Sequence, residues 1–378
     1  MADCSSAGIW GQGRPTEAGD IILNNDCTRC GCGIYSFWAK EITGNNFSGC
    51  GTALGFYGYG NDWDLNLAIA VTQNTYTGAS AGLNINPLVS GTSITDLDCR
   101  GMGIENQIMN IGSWGLFPNN ITLARIQFSA SAIWALCCSG FQNSLIDDIT
   151  VTGDGQEGLH FADCSGVTVR NCNSSGRRTG IYFHYINPDA NTGGNKAENC
   201  VLTDCPSAGI WGQGRPTEAG DIVLNNDCSR CGCGIYSFWA AEISDNTLEA
   251  CGIGLNLPIP SGVNVFHNNI FNCKNRNVYS EEPIELSYNG QGNYWGHSCE
   301  DPALFIPCVD SNSPEVMDSH PYGLLNGWLN PQVTPGCPPI KNLPPTVEAG
   351  GPYSVEEGSS IQVTATGSDP DNDPITFA

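Results

Sequence analysis

Short apolar–polar alternations recur along most of the chain, as in "LIDDITVTG" at 145–153, "GVTVRNCNSSG" at 166–176, "GDIVLNNDC" at 220–228 and "GVNVFHNNIFNC" at 262–273. A period of two puts Val, Ile and Leu on one face and polar residues on the other, so each stretch predicts a short strand. After each comes a Gly and a second short strand: "GLHFADC", "GIYFHY", "GIWGQG", "GIYSFW". Several short strands in every 20 to 30 or so residues predict a β-solenoid, in which one coil buries little and stacked coils share a core. The Leu-x-x-Leu-x-Leu register of leucine-rich repeats, which share this period, is missing.

Two longer regularities support stacking. Cys4, Cys27 and Cys50 are spaced by 23 residues, and Cys205, Cys228, Cys251 and Cys273 by 23, 23 and 22. One Cys per coil predicts an inward ladder of small apolar side chains with some disulfides between rungs. Cys-x-x-Cys-x-Cys at Cys27, Cys30 and Cys32, and again at Cys228, Cys231 and Cys233, lacks the partner motif that a closed zinc or iron–sulfur site needs. The fifteen residues "AGIWGQGRPTEAGDI" at 7–21 recur unchanged at 208–222. Duplication accounts for such a block, and so does a ligand that holds it.

The "V-x-V-x-N-C" and "G-I-x-x" strand pairs, the Asn and Cys at turns and the closing "GQGNYWGHSCEDP" resemble the right-handed parallel β-helix of pectate-lyase-like proteins. The resemblance implies an all-β right-handed parallel β-helix over 1–310. A Pro- and Gly-rich stretch at 311–342 reads as a C-terminal cap and linker. The last segment, 343–378, resembles the opening strands of a PKD or Ig-like β-sandwich module. Some thirty-five residues are too few for a sandwich core. The chain is therefore read as a fragment, with Met1 in mid-motif and no visible signal peptide.

Composition narrows the partners. The formal net charge is −24 with 14 Lys and Arg, which disfavours nucleic acid, anionic lipid and polyuronates unless Ca²⁺ bridges them. No apolar run is long enough to insert in a membrane. Twenty Cys fit an oxidising compartment, secreted or at the cell surface.

Candidate chemistry follows the strand pattern. The residue after each "G-I" or "G-L" faces outward, giving Trp10, Tyr35, His160, Tyr182, Trp211 and Tyr236 in an external stripe. Exposed rings stack on the C–H faces of sugars. Neighbouring Arg14, Glu17, Arg215 and Glu218 would fix hydroxyls, unless Arg215 and Glu218 only pair to staple a loop. The preferred function is therefore polysaccharide recognition along this stripe. The competing expectation is that loops bury the stripe as a satellite cluster.

An enzymatic alternative, a polysaccharide lyase or glycoside hydrolase, centres on His160, Asp163, Arg177 and His184, with a solvated acidic face as its bland counterpart. The Asn-Thr-Asp and Gly-His-Gly hallmarks of the related hydrolases are missing. A structural spacer or adhesin shaft is the third reading. No cofactor is certain, although Asp369, Asp371 and Asp373 alternate in a turn as Ca²⁺ ligands do.

Overall fold

The structure is a computed structural model. It describes residues 1–11, 19–36, 39–57, 69–78, 81–86, 90–101, 109–112, 118–129, 133–187, 191–217, 220–237, 239–259, 262–296, 316–335, 346–348, 350–362 and 366–368. Two compact units divide the chain, Met1–Gly336 and Cys337–Ala378.

The first unit is the right-handed parallel β-helix that the alternation predicts. One flank is a 12-stranded parallel sheet running from Ala7–Gly11 to Arg276–Ser280, with one strand from each coil. The remaining strands of each coil stack in the same way. Lys196–Glu198 pairs with Asp221–Leu224, then Ala240–Ser244, then Asn264–Phe266. Val201–Thr203 leads similarly to Asp227–Ser229, Thr247–Glu249 and Asn269–Phe271.

Corners are set by residues that tolerate left-handed backbone. One row has Asn199, Asn225, Asp245 and His267 at φ 55, 51, 57 and 57. Asn and Asp enter this region most readily among residues with a Cβ. The Gly near the start of several strands of the large sheet, such as Gly180, Gly209 and Gly234, answers a different need. A Cβ on Gly209 would lie 2.8 Å from the Gly234 carbonyl oxygen and 2.9 Å from Cys228 Sγ, too close for the coils to stack.

Inside, Ile34, Leu54, Leu136, Leu159, Ile181, Ile235 and Leu255 form one continuous buried core with Phe47, Phe128, Phe161 and Phe183. Several of the buried polar side chains form a ladder. Asn246 Oδ1 accepts from Asn226 N at 2.9 Å and Nδ2 at 3.0 Å, and Asn246 repeats the gesture towards Asn268, which does so towards Asn293. Asp318 Oδ2 ends the ladder, accepting from Asn293 N at 2.8 Å and Trp295 Nε1 at 2.9 Å. Buried Trp295 and Tyr322 pack at this end of the core.

The cysteine column differs from the 23-residue reading. Backbone bonds place Cys4, Cys30 and Cys50 on successive coils at one corner, and likewise Cys205, Cys231, Cys251 and then Lys274 beside Cys273. Cys27 and Cys228 lie on inner strands, paired with Phe47 and Leu248. The described cysteines are free thiols. Some point to carbonyls of the coil below, Cys231 Sγ to Leu202 O at 3.4 Å and Cys251 Sγ to Cys228 O at 3.2 Å, and the expected disulfides are not among the described contacts.

In the second unit Thr346–Glu348 pairs antiparallel with Thr366–Ser368. Asp369, Asp371 and Asp373 lie outside the described residues. No helix among the described residues is long and apolar enough to cross a membrane.

Candidate functional site

The outward positions of the large sheet fall in one file. Register carries it from Trp10 to Tyr35, Gly55, Asn84, Asn110, Cys137, His160, Tyr182, Trp211, Tyr236, Asn256 and Tyr279. All six ring residues expected to form the stripe are in it. They form two blocks, because the intervening positions carry no ring. Trp10 and Tyr35 make the first, with centroids 5.3 Å apart. His160, Tyr182, Trp211 and Tyr236 make the second, in steps of 4.8, 5.4 and 5.4 Å.

Exposure varies along the file. Trp10 is 55% exposed, whereas His160 and Tyr182 keep only 8% each and Trp211 and Tyr236 are half-buried. Much of the covering comes from neighbouring rings. Trp134 meets His160 edge-on at 5.7 Å, and His184, two positions along the strand from Tyr182, stacks on it at 4.9 Å. Tyr182 donates its hydroxyl proton to Gln213 Oε1.

Burial governs the electrostatics. It holds the His160 imidazole down at about 4, with His184 adding to the effect, and lowers His184 as well. Both rings are therefore neutral at pH 7, each with one N–H to give and one lone pair to accept. Burial likewise pushes the Tyr182 hydroxyl up to about 12 and raises Glu157. His160 Nδ1 and Nε2, His184 Nδ1 and Trp211 Nε1 are all buried without a hydrogen-bond partner among the described residues. An unpaired buried polar atom costs about 1–3 kcal/mol, so four in one cluster form a strong demand for hydroxyl or water partners.

Of the four residues of the catalytic constellation, His160, Asp163 and His184 lie near one another, and Arg177 makes separate contacts. His160 and His184 come together, with ring centroids 5.8 Å apart. Asp163 lies beside His184, its N–H donating to His184 O at 2.9 Å, while its Oδ1 caps a turn, accepting from Ile186 N at 2.6 Å and Asn187 N at 2.9 Å. Arg177 is fully buried, and its Nη2 donates to Glu157 O at 2.9 Å and Ile133 O at 3.1 Å.

The loop flanking Trp211 shows Arg215 above the Trp239 ring at 4.9 Å. Glu218, Arg14 and Glu17 lie outside the described residues. Sequence reading missed Trp134, Asn256 and Tyr279. Their coils lack the "G-I-aromatic" signature, although strand alternation would have placed Tyr279 once "RNVYS" was aligned.

Stacked coils with a polar–aromatic outer file define a parallel β-helix protein. The chain belongs to the family described as periplasmic copper-binding protein (NosD), whose model matches residues 88–299. No curated protein and no solved structure matches it.

Proposed function

We propose that this protein is an extracytoplasmic glycan-binding β-helix that recognises polysaccharide along the outward file, centred on His160, Tyr182, Trp211 and Tyr236. The carrying observation is the cluster of unpartnered ring nitrogens on His160, His184 and Trp211 within a continuous aromatic file. Neutral imidazoles and an indole N–H suit sugar hydroxyls, and the flanking rings suit C–H faces. Side chains must part slightly to admit them, since these nitrogens are buried. The family's periplasmic description supports an oxidising, extracytoplasmic setting. Migration through gels cast with a panel of neutral and acidic polysaccharides tests the proposal. Retardation in at least one gel is expected; free migration through all of them contradicts it.

The family description also raises copper, and the described donors do not fit it. The His160 and His184 planes are only 26° apart, so their in-plane lone pairs run side by side instead of converging. Burial pushes the thiols of Cys27 and Cys32 up to about 11 and that of Cys273 to about 12, away from the thiolate a metal needs. No group of three or more His, Cys, Asp or Glu suited to a metal ion occurs among the described residues.

The PKD or Ig-like reading of 343–378 belongs here as well, supported by the antiparallel pairing of Thr346–Glu348 with Thr366–Ser368. Loss of that pairing in amide-exchange data would remove it.

A further inference from the structure

Two steps of the outward file share one geometry. Trp10 and Tyr35 are direct partners across adjacent strands, as are Trp211 and Tyr236. Ring centroids lie 5.3 Å apart in the first pair and 5.4 Å in the second, with interplanar angles of 53° and 62°. The sequence around them is shared too, since the repeated block supplies each Trp and a strand reading "CGIYS" supplies each Tyr. Their settings differ. Trp211 has the Tyr182 ring on its other side at 5.4 Å, whereas Trp10 is 55% exposed. The same residues reach the same pair geometry in both settings, so the pair is a property of the repeated block itself.

The tilt decides what such a pair can hold. Rings stacked nearly flat, such as Tyr182 and His184 at 17°, cover one another's faces and leave edges outward. At 53° or 62° part of each face turns away from its partner, and the apolar C–H face of a sugar can lie against it. Eight register steps lead from Trp10 to Trp211, through the ringless positions Gly55, Asn84, Asn110 and Cys137. With coils spaced like neighbouring strands, the two Trp residues stand about 38 Å apart along the solenoid.

We propose that the Trp10–Tyr35 pair is a second glycan site, equivalent to the Trp211–Tyr236 pair, so that one chain holds a neutral polysaccharide at two points. It rests on the glycan-binding reading above. A neutral glycan is the class that fits, because the pair offers apolar faces and a net charge of −24 disfavours a polyanion. A polysaccharide long enough to span both pairs makes its second contact as an intramolecular event, whereas an oligosaccharide too short to span them fills each pair independently.

Calorimetric titration with tetrasaccharides of glucan, mannan and xylan counts the sites. At least one of the three is expected to fill two sites per chain. Trp10→Ala leaves one site unchanged and weakens the other about tenfold, and Trp211→Ala does the same to the opposite site. Trp10→Leu, which keeps apolar bulk without a ring, behaves as Trp10→Ala. Thermal midpoints stay nearly unchanged in both Trp10 variants, since that side chain is largely exposed. The parent polysaccharide is held about tenfold less tightly by Trp10→Ala as well. A single wild-type site that Trp10→Ala leaves untouched overturns the second site and leaves the main file standing. Two sites that neither Trp variant weakens overturn the assignment of both pairs. Binding of none of the three tetrasaccharides overturns the second site, and free migration through every polysaccharide gel as well overturns the file with it.

Discussion

Residues identical in sequence acquire different chemistry from their neighbours. Asp20 and Asp221 occupy the same place in the two copies of the repeated block. Asp20 is exposed, whereas Asp221 is buried, accepting from the Tyr185 hydroxyl and from Asn195 N at 3.0 Å. Burial pushes Asp221 up to about 6. Between about pH 4 and 6 the folded state keeps a proton that the unfolded chain has lost, so this group's contribution falls as pH rises. Two pKa units correspond to about 3 kcal/mol. Asp221→Asn, which mimics the protonated acid, is expected to lose this dependence. Thermal melts from pH 4 to 7 should show the variant gaining on the wild type as pH rises; a constant gap contradicts the account. The sequence does not reveal this difference, because Tyr185 and Asn195, on the loop and coil before the second copy, create it.

Coil architecture was largely legible in the elements, and the errors have a physical origin. Period-two alternation and the "G-I" pairs identified the strands and placed the ring residues in one file. The Cys spacing misled because successive corner cysteines lie 26 and then 20 residues apart, Cys205 to Cys231 to Cys251, and these lengths average 23. The equal interval therefore joined residues on a corner to residues on an inner strand. The coils from Gly55 to Cys137 leave a gap in the file because their strands, "TALGFY", "AGLNIN", "MNIG" and "WALCCS", lack the G-I-aromatic signature. The Asn ladder makes the most direct claim at this scale. Asn246→Ala strands Asn226 N, removes one of the two acceptors of Asn226 Nδ2 and frees Val223 O, which accepts from Asn246 Nδ2 at 2.9 Å. A loss of about 3 kcal/mol is expected in denaturant unfolding, and a change within about 0.5 kcal/mol, as for a surface site, contradicts it.

For the whole molecule, the solenoid converts a repeat along the chain into a file of rings in space. Parallel coils about 4.8 Å apart leave equivalent side chains nearly in contact, so a single Trp or Tyr per coil becomes an extended surface. The repeated fifteen residues supply the Trp of both blocks, Trp10 and Trp211. Charge enters this picture as a filter, since a net charge of −24 disfavours polyanionic partners. The most direct test of the central claim compares the wild type with Trp211→Ala, measuring affinity for the retarding polysaccharide and the thermal midpoint together. The account predicts about tenfold weaker binding, close to the worth of one stacked ring plus its N–H, with a midpoint nearly unchanged for a half-buried side chain. Unchanged binding, or a loss of binding matched by loss of the folded state, contradicts it.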